Sequence, residues 1–311
     1  MNEKLSVVIP CYNSEKNIEN VINKDIKIFQ EQGIIDFEFV LVNDCSSDNT
    51  WDVIQNMSQE NKNIIAINLA KNCGQHNAIM AGFRHVTGDY IVVSDDDGQT
   101  QMEMISAMLE KADEGFDVVM TNWEQRGKRS VFRRLGTALN NKVSEVLMDN
   151  PDKIPVSIFF LAKKFVIEEV VRYNRPYPFV TGLILRTTHN IGVVNVEQLQ
   201  RQSGQSGYSF RKLLRLWLNG FTAFSILPLR VASYIGVLSA FLGFVFGIFV
   251  IIRKIAMPEV AAGWSSTVAI FMFMSGVILC VLGMIGEYVG RIYMSLNMAP
   301  QFIIKDKINI D

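Results

Sequence analysis

The first part of the chain alternates short apolar runs with longer amphipathic stretches. Residues 5–9, 37–42, 64–69, 90–94 and 117–121 are apolar runs bounded by polar residues, the pattern of strands covered on both faces. Between them, 16–32 and 50–59 place apolar residues at helical spacing. This alternation predicts an α/β fold, a mostly parallel Rossmann-like sheet with helices on both faces. Ligands of such sheets gather at the carboxyl ends of the strands.

The pattern changes near residue 230. Residues 231–252 and 264–286 carry no charge, and each is long enough for a bilayer core of about 30 Å at about 1.5 Å per residue. Two membrane helices are the expectation. Two buried helices of a soluble protein are the alternative, although long uncharged runs in close succession are rare there. Just before them, Phe210, Leu213, Leu214, Trp217, Phe221 and Phe224 recur at helical spacing, while Arg211, Lys212 and Arg215 share another face. That is the pattern of an interfacial helix, with a core helix as the alternative. The expected organisation is an α/β domain over 1–207, a juxtamembrane amphipathic helix over 208–230, two membrane helices within 231–290 and a tail over 291–311.

Charge adds an orientation. Arg211, Lys212, Arg215 and Arg230 precede the first span and Arg291, Lys305 and Lys307 follow the second, which puts the α/β domain on the cytosolic side. Arg253 and Lys254 in the linker run against this unless they snorkel to the outer interface. Residues 1–4 are too short and polar for a signal peptide. The 311 residues are 49% hydrophobic with a formal net charge of −1, ample material for a core and no basic field for nucleic acid. Cys11, Cys45, Cys73 and Cys280 have no CxxC spacing, as expected of reduced thiols.

The candidate chemistry sits at the strand ends. Tyr90-Ile91-Val92-Val93 runs into Ser94-Asp95-Asp96-Asp97-Gly98-Gln99. Three adjacent carboxylates repel one another, so such a cluster suits a hard divalent cation; a solvated acidic turn is the alternative. The other strands end in Pro10-Cys11-Tyr12-Asn13-Ser14-Glu15, in 43–50 and in Lys71-Asn72-Cys73-Gly74-Gln75. Asp44 lies directly at a strand end, where a carboxylate can accept the imide N–H of uracil or thymine. Asp48 or Asn49 serves either the site or the cap of the next helix. No GxGxxG follows the first strand and no GxxxxGK[ST] occurs, which argues against dinucleotide and P-loop sites. A nucleoside diphosphate with its metal fits this edge.

These residues also carry a resemblance. The strings VVIPCYNSEKNI from Val7, VNDCSSDNTWDVI from Val42, NCGQHNAIMAGFRHVTGDY from Asn72 and DDDGQ from Asp95 resemble the GT-A nucleotide-sugar domain of family 2 glycosyltransferases. With RQSGQSGYSFRKLL from Arg201, FSILPLR from Phe224 and GEYVGRIY from Gly286, the whole chain is similar to the polyprenyl-phosphate glycosyltransferases. These include bacterial undecaprenyl-phosphate aminoarabinose and glucosyl transferases and dolichyl-phosphate mannose synthases.

The resemblance implies a DxD pair of Asp95 and Asp97. Asp97 and Gln99 would hold Mg²⁺ or Mn²⁺ with Asp95, which also faces the nucleotide. Pro10, Tyr12, Glu15 and Asp44 would frame base and ribose, with Asn13, Asn72, Gln75 and Asp96 completing the nucleotide-sugar site. Arg126, Arg133 and Arg201 would grip the phosphate of undecaprenyl phosphate, supported by Arg134, Ser206 and Tyr208, because a guanidinium fork matches phosphate oxygens. The implied reaction is inverting single displacement from a nucleotide sugar, expected to be UDP-linked. It would occur at the bacterial inner membrane, with the catalytic domain in the cytosol. Because a lipid phosphate is largely dianionic at neutral pH, no catalytic base is needed, and His76, His85 and His189 are read as structural. The implied oligomer is a tetramer, with Gly236, Gly243 and Gly247 permitting close helix contact.

The chain departs from the family at three places. Gln99 is followed by Thr100-Gln101-Met102-Glu103 where prolines are common, Gly207 stands where lysine is usual, and 155–161 lacks an expected acidic residue. A processive polysaccharide synthase would want QxxRW and more spans, but Gln202 stands where tryptophan belongs. An inactive scaffold of the same fold would be expected to lose the acid cluster, which is present.

Overall fold

The computed structural model describes residues 3–98, 100–124, 154–155, 157–176, 178–197, 263–296 and 300–310, with scattered helical positions between 234 and 256. Two units result, one of 1–208 with 299–311 and one of 209–298.

Among the described residues the first unit is built on eight strands: β1 (Leu5–Cys11), β2 (Phe37–Asn43), β3 (Ile64–Leu69), β4 (Tyr90–Val93), β5 (Val118–Glu124), β6 (Phe160–Lys163), β7 (Ile191–Glu197) and β8 (Ile304–Ile308). They form one sheet in the order β7-β5-β6-β4-β1-β2-β3-β8. β1 pairs in parallel with β2 and β4, β2 with β3, and β5 with β7. β6 is antiparallel to both neighbours, and β8 is antiparallel to β3.

Alternation along the strands makes two cores. Val7, Ile9, Phe39 and Leu41 face one side. There they meet α1 (Ile18–Glu31), α2 (Thr50–Glu60) and α4 (Ile105–Asp113). Val8, Val40 and Val42 face the other side, against α3 (Gln75–Phe83), α5 (Lys164–Val171) and α6 (Val180–Thr187). In α1 the buried Ile18, Val21, Ile22, Ile28 and Phe29 follow the helical repeat, and Phe29 stacks on Phe39 with ring centroids 5.6 Å apart. The helix begins at Ile18, two residues later than its apolar spacing suggests, after a turn in which the Ser14 carbonyl accepts the N–H groups of both Asn17 and Ile18. α3 lies so close to the sheet that a Cβ on Gly82 would stand 2.4 Å from Val8 Cγ1.

The expected α/β architecture and the five expected strands are present. Among the described residues three further strands lie outside those five. β6 starts within the region read only as lacking an acid, β7 follows the polar turn at His189, and β8 lies in what was expected to be a tail. Ile191-Gly192-Val193-Val194-Asn195 and Ile304-Lys305-Asp306-Lys307-Ile308 mix polar residues with apolar ones, and among the described residues both strands are edges with one neighbour each. A buried polar cluster closes the amino ends of the central strands. Glu38 on β2 accepts hydrogen bonds from Ser6 Oγ (2.6 Å), Thr87 N (2.6 Å) and Thr87 Oγ1 (2.7 Å), and pairs with Lys4 Nζ at 2.7 Å.

In the second unit, α7 (Trp264–Leu296) is one helix of 33 residues. Counting the described residues alone, no helix is both long and apolar enough to cross a membrane. The interfacial helix and more than half of the first expected span fall outside those residues, as do many α7 side chains, including Glu287 and Arg291.

Candidate active site

The carboxyl ends of β1 to β4 bring four loops together, and hydrogen bonds between them define the site. Asp95 follows Ser94 at the end of β4. Its Oδ1 accepts a hydrogen bond from Gln75 Nε2 at 3.0 Å, and its own N–H donates to Thr100 Oγ1 at 3.2 Å. Burial, with the charges of Asp97 and Asp96, pushes its carboxyl up to about 6. Gly98 turns the chain at φ +73°, where a side chain would be strained. Asp97 on the same turn is exposed.

Asp96 points to β1. Its Oδ2 accepts the Tyr12 N–H at 3.0 Å and a hydrogen bond from Ser14 Oγ. Burial raises its carboxyl above the usual range, against these two bonds. Asp96 therefore ties the acid cluster to the β1 loop. Within that loop, Asn13 takes φ +56°. Its Oδ1 accepts the Ser47 N–H at 2.9 Å, so the loops after β1 and β2 are joined directly. Glu15 Oε2 accepts both the backbone N–H (3.0 Å) and the amide (3.1 Å) of Asn49.

Asp44 is buried, and its two oxygens accept the N–H groups of Cys73 (2.7 Å) and Gly74 (2.8 Å). Burial raises its carboxyl, opposed by those bonds. It thus fixes the glycine turn, at φ +87°, from which α3 carries Gln75 to Asp95. Asn72 joins the same corner by donating to the Asp44 carbonyl at 3.2 Å. The choice between Asp48 and Asn49 is resolved: Asp48 Oδ1 accepts the Thr50 N–H at 3.1 Å and so starts α2, while the Asn49 side chain makes no cap. Burial pushes the Asp48 carboxyl up, but its bonds with Thr50 and Glu15 outweigh this and hold it low. Tyr12 is half exposed over the site.

Pro10, Tyr12, Asn13, Glu15, Asp44, Asn72, Gln75, Asp95, Asp96 and Asp97 therefore share one sheet edge. Gln99, Arg126, Arg133, Arg134, Arg201, Ser206 and Tyr208 lie outside the described residues. Ser14 and Thr100 were not singled out in the sequence; their hydroxyls are what orient Asp96 and the Asp95 backbone. Among the described residues no three His, Cys, Asp or Glu side chains are grouped to hold a metal ion. His76 stands edge-on to Phe179, with ring centroids 5.1 Å apart, and its buried Nδ1 has no partner among the described residues. Burial drives it down to about 4, a weak proton acceptor, and His85 Nδ1 bonds the Ala81 carbonyl of its own helix at 3.0 Å. Cys11, Cys45 and Cys73 are free thiols.

Comparison with known proteins extends over both units. Residues 6–172 match the family described as Glycosyl transferase family 2, and residues 227–292 match the GtrB C-terminal hairpin. The chain is 32% identical over 305 residues to the undecaprenyl-phosphate 4-deoxy-4-formamido-L-arabinose transferase of Enterobacter sp. (strain 638), covering 97% of this chain and 93% of that one. It is 30% identical over 308 residues to the bactoprenol glucosyl transferase of Shigella phage SfX, covering 98% and 99%. Among solved structures, glucosyl-3-phosphoglycerate synthase from Mycobacterium tuberculosis, in complex with Mn²⁺ and UDP-glucose, shares the fold. Its TM-score is 0.50 at 16% identity, over 71% of this chain and 77% of that chain. The strand order, the loops gathered on Asp95 and the match over more than half of the chain converge: this chain is a glycosyltransferase and belongs to glycosyl transferase family 2.

Proposed function

We propose that this chain transfers a sugar from a UDP-linked donor to undecaprenyl phosphate, forming a polyprenyl-monophosphate sugar by one inverting displacement. The observation that carries the reading is similarity over nearly the full length, hairpin included, to relatives named as undecaprenyl-phosphate and bactoprenol sugar transferases. The geometry is consistent with it. Asp44, Asn13 and Glu15 tie the loops after β1, β2 and β3 together by hydrogen bonds, and this corner would receive base and ribose, with Asp95 at the end of β4 on the same sheet edge.

Asp95, Asp97 and Gln99 are the residues that would hold Mg²⁺ or Mn²⁺. The donor set fits, because the Asp95 carboxyl is pushed to about 6 by burial and by its two acidic neighbours, and a nearby cation relieves that cost. Two carboxylates are also the usual protein share of such a site when substrate phosphates supply the rest. When bound, the cation offsets charge on the departing diphosphate. The arginines Arg126, Arg133 and Arg201, with Arg134, Ser206 and Tyr208, are proposed to hold the acceptor phosphate. That phosphate is already largely ionised at neutral pH, so the protein's contribution is positioning and charge stabilisation.

Integration into the bacterial inner membrane belongs to the same proposal. β3 precedes and β8 follows the 209–298 unit, yet both lie in one sheet. Any membrane crossings between them are therefore even in number, as two spans require. On α7, Phe271, Ile278, Leu279, Leu282 and Val289 are exposed apolar side chains, which lipid would cover. The test is to incubate membranes containing the protein with undecaprenyl phosphate, Mg²⁺ or Mn²⁺ and a panel of radiolabelled nucleotide sugars. One donor is expected to label a chloroform-soluble product; no labelled product with any donor refutes the reading.

A further inference from the structure

The strand that follows the 209–298 unit is joined to the nucleotide corner by a continuous line of hydrogen bonds. Across the carboxyl edge of the sheet, Asn43 on β2 is the register partner of Asn68 on β3, which is the partner of Asp306 on β8. Their side chains are linked in one direction. The Asn13 N–H donates to Ser46 Oγ at 3.0 Å, and Ser46 Oγ donates to Asn43 Oδ1 at 2.6 Å. Asn43 Nδ2 donates to Asn68 Oδ1 at 2.8 Å, and Asn68 Nδ2 donates to Asp306 Oδ2 at 3.0 Å.

The direction is set at both ends. A backbone N–H can only donate and a carboxylate can only accept, so both amides between them have one permitted orientation. The Ser46 N–H, also on Asn43 Oδ1 at 3.2 Å, enforces it. Asn43 and Asn68 are buried, at 3% and 7% exposure, where an unsatisfied amide is costly. A second tie reaches the neighbouring loop, since the Ala70 N–H donates to the Ile303 carbonyl at 2.8 Å just ahead of Lys71-Asn72-Cys73-Gly74.

We propose that residues 300–310 are a positioning element for the donor site, with Asp306, Asn68 and Asn43 as positioning residues that hold Asn13 and Ser46 in place. The catalytic loops are then complete only after the chain has returned from the 209–298 unit. The identity of the ligand rests on the function proposed above; the relay itself does not.

The test uses the full chain and compares Asp306→Leu, Asp306→Asn and, as a control on the same strand, Lys307→Ala. UDP affinity is measured by titration calorimetry with Mn²⁺, and amide hydrogen exchange is read without nucleotide over 12–15 and 44–50. Asp306→Leu is expected to weaken UDP binding about tenfold and to speed exchange at Asn13 and Ser46 by a similar factor, the lower end of what one lost hydrogen bond to a charged acceptor costs. Asp306→Asn keeps an acceptor oxygen and is expected to match wild type, as is Lys307→Ala. If leucine disrupts the sheet edge, Asp306→Ala reads the same loss. Unchanged exchange in the truncated variants, or an equal defect in Asp306→Asn, overturns the relay. A wild-type chain that binds no UDP while the exchange differences persist overturns the ligand assignment alone.

Discussion

Glu38 offers the sharpest test of how this fold is held. It is buried at 4% exposure on β2, on the sheet edge opposite the site. Its two oxygens take three neutral donors and the Lys4 ammonium. Glu38→Ala leaves Ser6 Oγ and the Thr87 N–H without their acceptor, whereas Lys4, about a third exposed, can return to water. Breaking a buried pair by removing one partner costs about 3–5 kcal/mol, and the exposure of Lys4 places this case at the lower end, about 3 kcal/mol. For a unit of this size that corresponds to a melting temperature lower by roughly 6–12 °C. Burial by itself would raise the Glu38 carboxyl, but its bonds from Lys4, Ser6 and Thr87 outweigh burial and hold it below the usual range. With the folded pKa below the unfolded one, its contribution is full above the ordinary carboxylate value and is lost as pH falls through the folded value. Thermal melts of purified protein at pH 7 and at stepwise lower pH are the assay. The Ala variant is expected to lose stability at pH 7 and to show a shallower acid-side decline, with transfer per folded molecule unchanged. A shift of under 1 °C at pH 7 would refute the reasoning.

Other substitutions separate chemistry from folding. Asp97→Ala is expected to abolish sugar transfer while the melting temperature stays near wild type; retained transfer removes Asp97 from the metal site. Asp25 in α1 is buried with Oδ2 unpartnered among the described residues, and its carboxyl stands at about 7 through burial and the charge of Glu103, against Lys24. Because this folded pKa exceeds the unfolded one, stability should fall as pH rises from about 4 to about 7. Asp25→Asn should remove that slope and gain on the order of 2 kcal/mol at pH 8, as read by denaturant melts. Gly82→Ala should cost about 1–2 kcal/mol, overpacking against Val8 outweighing the better helix propensity. The double variant with Val8→Ala should then cost less than the sum of the two single changes.

Much of the fold was legible because the central strands are covered on both faces and read as unbroken apolar runs. Edge strands are under no such pressure. β7 and β8 mix polar with apolar residues, so neither stood out, and Asp306 gave no sign that it completes an amide row begun by Asn43. The site was legible as a set of residue types at strand ends. The division of labour inside it was not. Asp95, Asp96 and Asp97 are equivalent in sequence, but Asp96 is turned to Tyr12 and Ser14 while Asp95 takes Gln75.

By itself the sequence determined the alternation of strand and helix, the acid cluster at a strand end and the uncharged runs after 230. These follow from local chemistry: side-chain period, strand length and residue type at short spacing. Tertiary structure alone decided that 304–308 joins the sheet, that Asp44 is engaged by the loop after β3, and that Glu38 closes the opposite edge. Each depends on partners far apart in the chain, 28 residues for Asn72 with Asp44 and 238 for Asn68 with Asp306. Hydrogen-bond geometry between such partners exists only once the sheet order has brought their strands side by side.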